Sequence, residues 1–500
     1  MRSPISMVSA SPATTTPLRA DGNRGEPQRR KECRGRKERE EWNGIKYLLL
    51  LPSLRSLRPL RLCGSPRFLS SAYVRGIIPG MVEMVAPAPP APPAVISPSR
   101  HGRRRRIVLL GGFGMQPKAT MTFRALPLGR ELVARGHDVT LIVPPWDHLE
   151  DAGRAWEDHG VHVVNIALPT RMKTVGIVTA LRQAVHTARP DVVHLFKPKG
   201  YAGLVMPLLR NIPVVLDTDD WEGTGGWNER GLYSASQRRL FAWQERRLPR
   251  RAVHVTVASR ALETQQWGLG IPPDRITYLP NALDPVRYGA WPDQCEIMRH
   301  AAQMRAALGL DGPTVLLYTR FVEFAPETVA AFFSRIRETI PAARLLVVGS
   351  DLRGENVAAR RALSEQNDAT TFAGFVPFAE LPSFIRAADV AVLPFADTLI
   401  NRAKSSVKTL DLLAAGQAVV ATAVGENTSV IRHNETGLLT PPGDLAALVN
   451  AVVNLLANPA RARALGDAAR ERAWREQTWA IQAETVEAIY DRIMTRSIAK

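Results

Sequence analysis

At 500 residues the chain exceeds what one hydrophobic core usually holds, so two domains with appendages are expected. Its 45% hydrophobic content is that of an ordinary soluble globular protein, and three widely spaced cysteines (Cys33, Cys63, Cys295) without a CxxC exclude a disulfide framework or a cysteine-held zinc and suit a reducing cytoplasm. The formal charge of +18 points first to nucleic acid or an anionic membrane, but residues 1–106 hold about +14 of it, the body is nearly neutral, and no basic-aromatic recognition module appears.

Residues 1–105 read as a disordered basic and proline-rich extension. Arg29 to Glu41 is almost all charge and residues 86–100 are rich in Ala and Pro, so too little apolar surface is present to offset the entropy of ordering. The run Tyr47 to Leu51 is cut by Pro52 and lies too deep for a signal peptide; no run reaches the ~18–20 apolar residues that span a bilayer. Met81 and Met84 are alternative starts for the chain.

The ordered pattern begins after Arg106. Strands are expected at Ile107–Leu110, Val139–Val143, Val161–Leu168, Pro190–Leu195, Pro213–Leu216, Val253–Ala258 and Ile276–Leu279, with helices at Thr122–Arg135 and Val175–Ala188 between them. A second unit repeats the alternation, with strands at Thr314–Tyr318, Arg344–Val348, Thr371–Phe372, Val390–Leu393 and Ala418–Thr422. Its helices are Glu327–Thr339, Leu381–Ala387, Ser406–Ala415 (closed by Gly416) and Leu445–Leu456, and a last helix runs Trp479–Ile493. The reading is therefore α/β, with two Rossmann-like doubly wound domains facing across a cleft: residues 106–284, a linker 285–312, residues 313–475, and a terminal helix in 476–500 that returns to the first domain.

Two segments carry chemistry. Gly111-Gly112-Phe113-Gly114 joins the first strand to the first helix, where a ligand can approach backbone and helix N-terminus, or where the glycines simply make a tight turn. The GxGxxG spacing of a dinucleotide site is broken at Pro117. In the second unit, Asn401-Arg402-Ala403-Lys404-Ser405-Ser406-Val407-Lys408-Thr409-Leu410-Asp411 leads a basic, serine-bearing loop into a helix. Lys404, Ser405, Ser406 and Lys408 lie where a helix start already favours anions, and Asp411 suits a ribose diol; the alternative is a solvated helix start with incidental lysines.

This segment resembles the donor-binding helix of the family 4 glycosyltransferases, which are retaining enzymes of the GT-B fold. Other stretches follow in matching order: Tyr318-Thr319-Arg320-Phe321, Phe372-Ala373-Gly374-Phe375-Val376, Ala387-Ala388-Asp389 through Pro394, Tyr278-Leu279-Pro280-Asn281 through Asp284, and Gly437-Leu438-Leu439 with Pro442-Gly443-Asp444. The resemblance covers residues 107–495. It implies a nucleotide-binding second domain: Arg320 with Lys404 or Lys408 on the donor diphosphate, Gly374 and Val376 framing the base, and Ser405, Ser406 and Asp411 lining the pocket; Gly111, Gly112 and Gly114, read from their own turn, are the first domain's candidate ligand contacts. Three departures stand out. Ala403 occupies the place of a glutamate that meets the donor sugar, the helix carboxylate is Asp411 instead of Glu, and the lysine that usually follows the strand-end arginine is missing from Phe321-Val322-Glu323-Phe324-Ala325.

In the first unit Asp217-Thr218-Asp219-Asp220 follows a strand. Its DxD spelling grips a metal-bound donor in another architecture, a reading set aside here. Asp219 stands where the resemblance puts a histidine near the reaction centre, so Asp219 or Asp220 is expected to orient an acceptor hydroxyl or take its proton, the alternative being a helix cap. His194 is expected to be structural, and Lys197 with Lys199 to meet an anionic acceptor. The pairs Arg238-Arg239, Arg246-Arg247 and Arg250-Arg251, with Phe241 and Trp243 between, read either as a solvated helix face or as a contact with an anionic membrane.

The expected function is metal-independent, retaining transfer of a sugar from a nucleoside-diphosphate sugar to a hydroxyl of a glycan, lipid-linked or small-molecule acceptor, as in cell-envelope polysaccharide or glycolipid assembly. Asp219, Asp220, Arg320 and Lys408 carry the chemistry. The enzyme is cytoplasmic or peripheral on the inner membrane face, with no cofactor beyond the donor and no nucleic-acid partner. The rivals are an epimerase or phosphorylase on the same plan, which needs no acceptor, and a non-catalytic partner that has lost the donor site.

Overall fold

A computed structural model describes residues 103–116, 120–170, 173–231, 233–350 and 354–498. The expected disordered extension, with Met81 and Met84, lies outside the described residues except for positions 103–105.

The first domain is built on an eight-stranded sheet: β1 (Arg106–Leu110), β2 (Asp138–Val143), β3 (Ala155–Asp158), β4 (Val161–Asn165), β5 (Val192–Phe196), β6 (Val214–Thr218), β7 (His254–Val257) and β8 (Ile276–Tyr278). Their order is β3-β4-β2-β1-β5-β6-β7-β8, parallel except at the β3–β4 edge. β5, β6 and β7 are buried along their whole length, their polar residues His194, Asp217, Thr218, His254 and Thr256 included. The β3–β4 hairpin was not expected; His159 and Gly160 at its turn both take positive φ, 46° and 80°, which matches a two-residue hairpin turn. The helix expected at Thr122–Arg135 is a π-helical turn, Met121–Ala125, continued by an α-helix, Leu126–Ala134.

The second sheet contains β9 (Thr314–Tyr318), β10 (Arg344–Val348), β11 (Thr370–Gly374), β12 (Val390–Leu393), β13 (Val419–Thr422) and β14 (Leu438–Thr440), all parallel, in the order β11-β10-β9-β12-β13-β14. Alternate residues feed two cores. Val315, Leu317, Leu345, Val347, Val390 and Val392 pack under the helices Pro326–Thr339 and Leu445–Ala457. Leu316, Leu346, Val348, Ala391 and Leu393 pack on the other face under Leu381–Arg386 and Val407–Ala414. Gly416 ends the last helix with φ +71°, and Gly466 packs so closely that a Cβ there would fall 2.2 Å from the Gly416 carbonyl.

Residues 285–312, expected to be a linker, instead form the helices Pro285–Tyr288 and Gln294–Ala307, and Tyr288 and Leu310 join the second domain's core. The chain crosses between the domains twice, and the crossings bind each other: Leu283 N donates to Gln477 O (2.7 Å) and Trp479 N to Leu283 O (3.0 Å). The helix Trp479–Ile498 then docks on the first domain, where Trp479, Ala483, Val486 and Tyr490 are all buried at helical spacing. Among the described residues no single helix is long and apolar enough to cross a membrane.

Candidate active site

In an open parallel sheet, ligands bind beyond the carboxyl ends of the strands where the strand order reverses. In the second sheet that point lies between β9 and β12. Phe321, just after β9, takes a φ of 62°, an unfavourable conformation for a bulky residue, in a turn where its N–H donates to Thr319 Oγ1 (2.7 Å). The turn leads into Glu323, which is 1% exposed. Asn401 Nδ2, from the short helix Leu399–Ala403 that follows β12, donates to the carbonyls of Glu323 (2.7 Å) and Ala396 (2.8 Å) and ties the segments after β9 and β12 together.

Glu323 is the centre of the site, and the sequence did not mark it. Its Oε1 accepts Lys404 Nζ at 2.5 Å and Lys408 Nζ at 2.9 Å; its Oε2 accepts Thr319 Oγ1 (2.9 Å) and Val322 N (3.2 Å). Burial works against the carboxylate, yet Lys408 and Lys404 together hold it well below the usual range. Lys408 is pushed the other way: burial first, then Lys404, with Arg320 contributing, lowers its ammonium to about 8 despite Glu323. Arg320 itself is exposed at the end of β9. Two ammonium groups therefore share one buried carboxylate, with Arg320 acting on Lys408 as well, and this leaves positive potential in a site largely shielded from solvent.

Lys408 loses its ammonium charge as pH rises through about 8, so a diphosphate held by this cluster would lose one of its cations. Nucleoside-diphosphate affinity should therefore weaken about tenfold between pH 7 and pH 9. Calorimetric titration across that range checks this, and a flat profile would show that Lys408 does not touch the anion.

The remaining residues of the basic segment behave differently from one another. Ser406 caps the helix Val407–Ala414, its Oγ accepting Thr409 N (3.3 Å). Ser405 faces the first domain: its Oγ accepts Asn281 N (2.9 Å) and its carbonyl accepts Asn281 Nδ2 (2.8 Å). Ala403 is fully buried. The expectation that Asp411 meets a ribose diol is not met. Asp411 is 1% exposed, its Oδ1 accepts Tyr288 OH (2.6 Å) and Arg287 Nη1 (2.9 Å), and its Oδ2 accepts Tyr318 OH (3.2 Å). A carboxylate buried in the helix face finds donors within the protein, here from the segment taken for a linker. Gly374 ends β11 with φ +71° and open space beside its Cα, its carbonyl accepting Gly349 N (2.8 Å); Val376 beyond it is buried. Both lie at the sheet edge, two strands from β9.

The facing wall comes from the first sheet's own reversal, between β1 and β5. Gly111, Gly112 and Gly114 make a close-packed turn there. A Cβ on Gly111 would fall 2.7 Å from Met121 Sδ and one on Gly112 2.9 Å from Lys199 O, while Gly114 N donates to Asp147 Oδ1 (2.9 Å). Pro117 is outside the described residues. Asp219 Oδ2 accepts Thr120 Oγ1 (2.9 Å), and Asp219 Oδ1, 3.4 Å from Lys197 Nζ, accepts no hydrogen bond. Asp220 accepts Lys197 Nζ (2.6 Å) and Trp227 Nε1 (3.2 Å), and burial raises its carboxyl. Lys199 binds Glu222 (2.5 Å). The expectation that Lys197 and Lys199 meet an anionic acceptor is thus corrected, because both are spent on carboxylates inside the wall.

Asp217 does not join Asp219 in a metal grip. It is fully buried and bidentate with Arg124 (2.7 and 2.6 Å), with Thr256 Oγ1 as a third donor (2.6 Å). His194 is buried between Tyr490 OH (2.8 Å) and Thr256 Oγ1 (3.1 Å), and burial lowers its pKa to about 3, so it is a neutral structural residue. The two walls meet through Asn281 and Ser405, through Arg230 Nη1 and Val322 O (3.4 Å), and through Glu426, which accepts Arg260 N (2.8 Å) and Tyr278 OH. The Asp219–Asp220 loop therefore lies opposite the loop that carries Arg320 and Glu323.

Comparison with known proteins is consistent across both walls. Residues 120–282 match the model of the glycosyl transferase 4-like domain, and residues 312–458 match that of the glycosyl transferases group 1. The glycogen synthase of Mycobacterium tuberculosis is 25% identical over 311 residues, 60% of this chain and 69% of that protein. The GDP-mannose-dependent alpha-(1-6)-phosphatidylinositol monomannoside mannosyltransferase of the same species is 27% identical over 368 residues, 70% of this chain and 88% of its own length. Among solved structures, sucrose-phosphate synthase from Thermosynechococcus elongatus shares the fold with a TM-score of 0.60 at 23% identity, covering 78% of this chain and 99% of that one.

Proposed function

Because this chain belongs to the family 4 type of glycosyltransferases and is a transferase of GT-B fold, we propose that it moves a sugar from a nucleoside-diphosphate sugar on its second domain to a hydroxyl of an acceptor on its first. The observation that carries this reading is the convergence of Lys404 and Lys408 on buried Glu323, beneath Arg320 and at the start of a helix. Those cations and the helix N–H groups stabilise the diphosphate as the glycosidic bond breaks, a larger effect in a low-dielectric cleft than in water. On the first domain Asp219, whose Oδ2 accepts Thr120 Oγ1 and whose buried Oδ1 lies 3.4 Å from Lys197 Nζ, is the residue we assign to orient the acceptor hydroxyl or take its proton. The leaving diphosphate's charge is met by side chains, so the reaction needs no metal, and the anomeric configuration is retained, as the family resemblance implies. No cofactor besides the donor is required, and the enzyme works in the cytoplasm.

The test is turnover of UDP-, GDP- and ADP-sugars, with GDP-mannose first because the mannosyltransferase relative uses it. The expected result is nucleoside-diphosphate release that depends on an added glycan or glycolipid acceptor, survives a chelator, and yields the donor's anomer by NMR. Turnover of the donor without any acceptor would instead identify an epimerase or phosphorylase. Loss of turnover with the chelator would remove metal independence.

A further inference from the structure

The helix Val407–Ala414 carries two ionisable side chains one turn apart, and they behave oppositely. Lys408 joins the cluster around Glu323, whereas Asp411 is turned into the protein. Three donors converge on its carboxylate: Tyr288 OH (2.6 Å) and Arg287 Nη1 (2.9 Å) on Oδ1, and Tyr318 OH (3.2 Å) on Oδ2. Burial, and then the charge of Asp411, raise both phenols, so they keep their protons and act as donors.

The donors are themselves fixed. The Tyr288 ring lies edge-on to Trp291, Phe378 and Trp474, with centroids 4.8, 5.4 and 5.6 Å away. The Arg287 guanidinium lies 3.7 Å from the centre of the Phe378 ring and 4.7 Å from that of Phe123. A carboxylate that left this pocket to meet a ligand would strand a largely buried guanidinium and two phenols, a larger loss than one new pair of hydrogen bonds returns. The first acids to follow β9 and β12 are occupied as well. Glu323 is filled by Lys404, Lys408, Thr319 and Val322, and Asp397 is bidentate with Arg402 (2.5 and 2.7 Å).

Resting on the donor placement given above, we propose that this site holds its donor by the diphosphate and not by the ribose diol. It therefore takes 2′-deoxyribonucleoside-diphosphate sugars, thymidine-diphosphate sugars among them, as readily as the ribonucleotide donors. A 2′-hydroxyl bonded to a carboxylate separates ribose from deoxyribose by roughly tenfold or more, because the deoxy analogue leaves a desolvated carboxylate unpaired. Here the carboxylate of the helix is already paired in the free protein, so the missing hydroxyl leaves nothing unpaired.

The test is calorimetric titration of the full chain at pH 7 with UDP, GDP and ADP and with the 2′-deoxy counterpart of each, with Asp411→Asn beside the parent. For the base that binds, the expected ratio of deoxy to ribo Kd is below about threefold in the parent, and Asp411→Asn leaves that ratio unchanged. A larger ratio in the parent overturns the proposal: one that falls to unity in Asp411→Asn gives the ribose to Asp411, and one that persists gives it to another group. If no nucleotide of either kind binds, the donor site itself is misplaced and the proposed function falls with it, a result distinct from a strong preference for ribose. Should Asp411→Asn not fold, the ratio in the parent decides alone.

Discussion

Lys408→Ala should lower sugar transfer by about 10²–10³-fold while the protein stays folded. Lys408 Nζ sits 2.9 Å from Glu323 with little solvent around it, and its partner Lys404 binds the same oxygen. Removing Lys408 leaves Lys404 and Glu323 as a neutral pair, and exposed Arg320 becomes the one uncompensated cation of the cluster. The lost interaction strengthens as charge develops on the leaving diphosphate, so the fall belongs mainly in kcat, with a smaller rise in KM. Stability should change little, because Lys404 still satisfies the buried carboxylate. Steady-state transfer with the best donor checks the prediction, and a variant within about threefold of the parent would remove Lys408 from the chemistry.

Asp217→Asn should cost about 3–5 kcal/mol of folding stability, more than any single surface change in this chain. The two oxygens of Asp217 receive Arg124 Nε and Nη2 at 2.7 and 2.6 Å, and Arg124 is only 1% exposed. An asparagine keeps the shape but leaves a buried guanidinium without a counter-charge. The loss reaches the cleft, because Arg124 also donates to Leu279 O (2.7 Å) and to Asn281 Oδ1 (3.2 Å), and Asn281 holds Ser405 of the donor loop. Urea unfolding monitored on the first domain measures the effect, and a loss below about 1 kcal/mol would show that the pair is not the anchor described here.

The alternation of strand and helix was legible because parallel strands covered on both faces leave apolar runs, as in Ile107–Leu110 and Val390–Leu393. Ala155–Asp158 was not legible: it is an edge strand with exposed side chains, and its hairpin rests on a turn whose positive φ at His159 no composition announces. The helix Gln294–Ala307 was taken for linker because only Ile297 and Ala301 of it are buried, too narrow a stripe to stand out. At the site, the basic helix start was visible as a local pattern, since Lys404, Ser405, Ser406 and Lys408 are close in sequence. Glu323 was not, because it meets Lys404 and Lys408 from 81 and 85 positions away. The sequence shows that no lysine follows Arg320 closely, but Glu323 acquires its role only where the segments after β9 and β12 come together. The partners of Asp411 are equally invisible in its helix, because Arg287, Tyr288 and Tyr318 come from other elements.

The most direct test of the account is the thermal shift of the full chain with UDP, GDP and ADP, beside Lys408→Ala, at pH 7. The account predicts that one nucleoside diphosphate stabilises the parent, by about 2.7 kcal/mol when present at a hundred times its Kd, and that the variant loses most of that shift. A well-folded parent that responds to none of the three, or a variant that responds as fully as the parent, would contradict the placement of the donor diphosphate on Lys404 and Lys408.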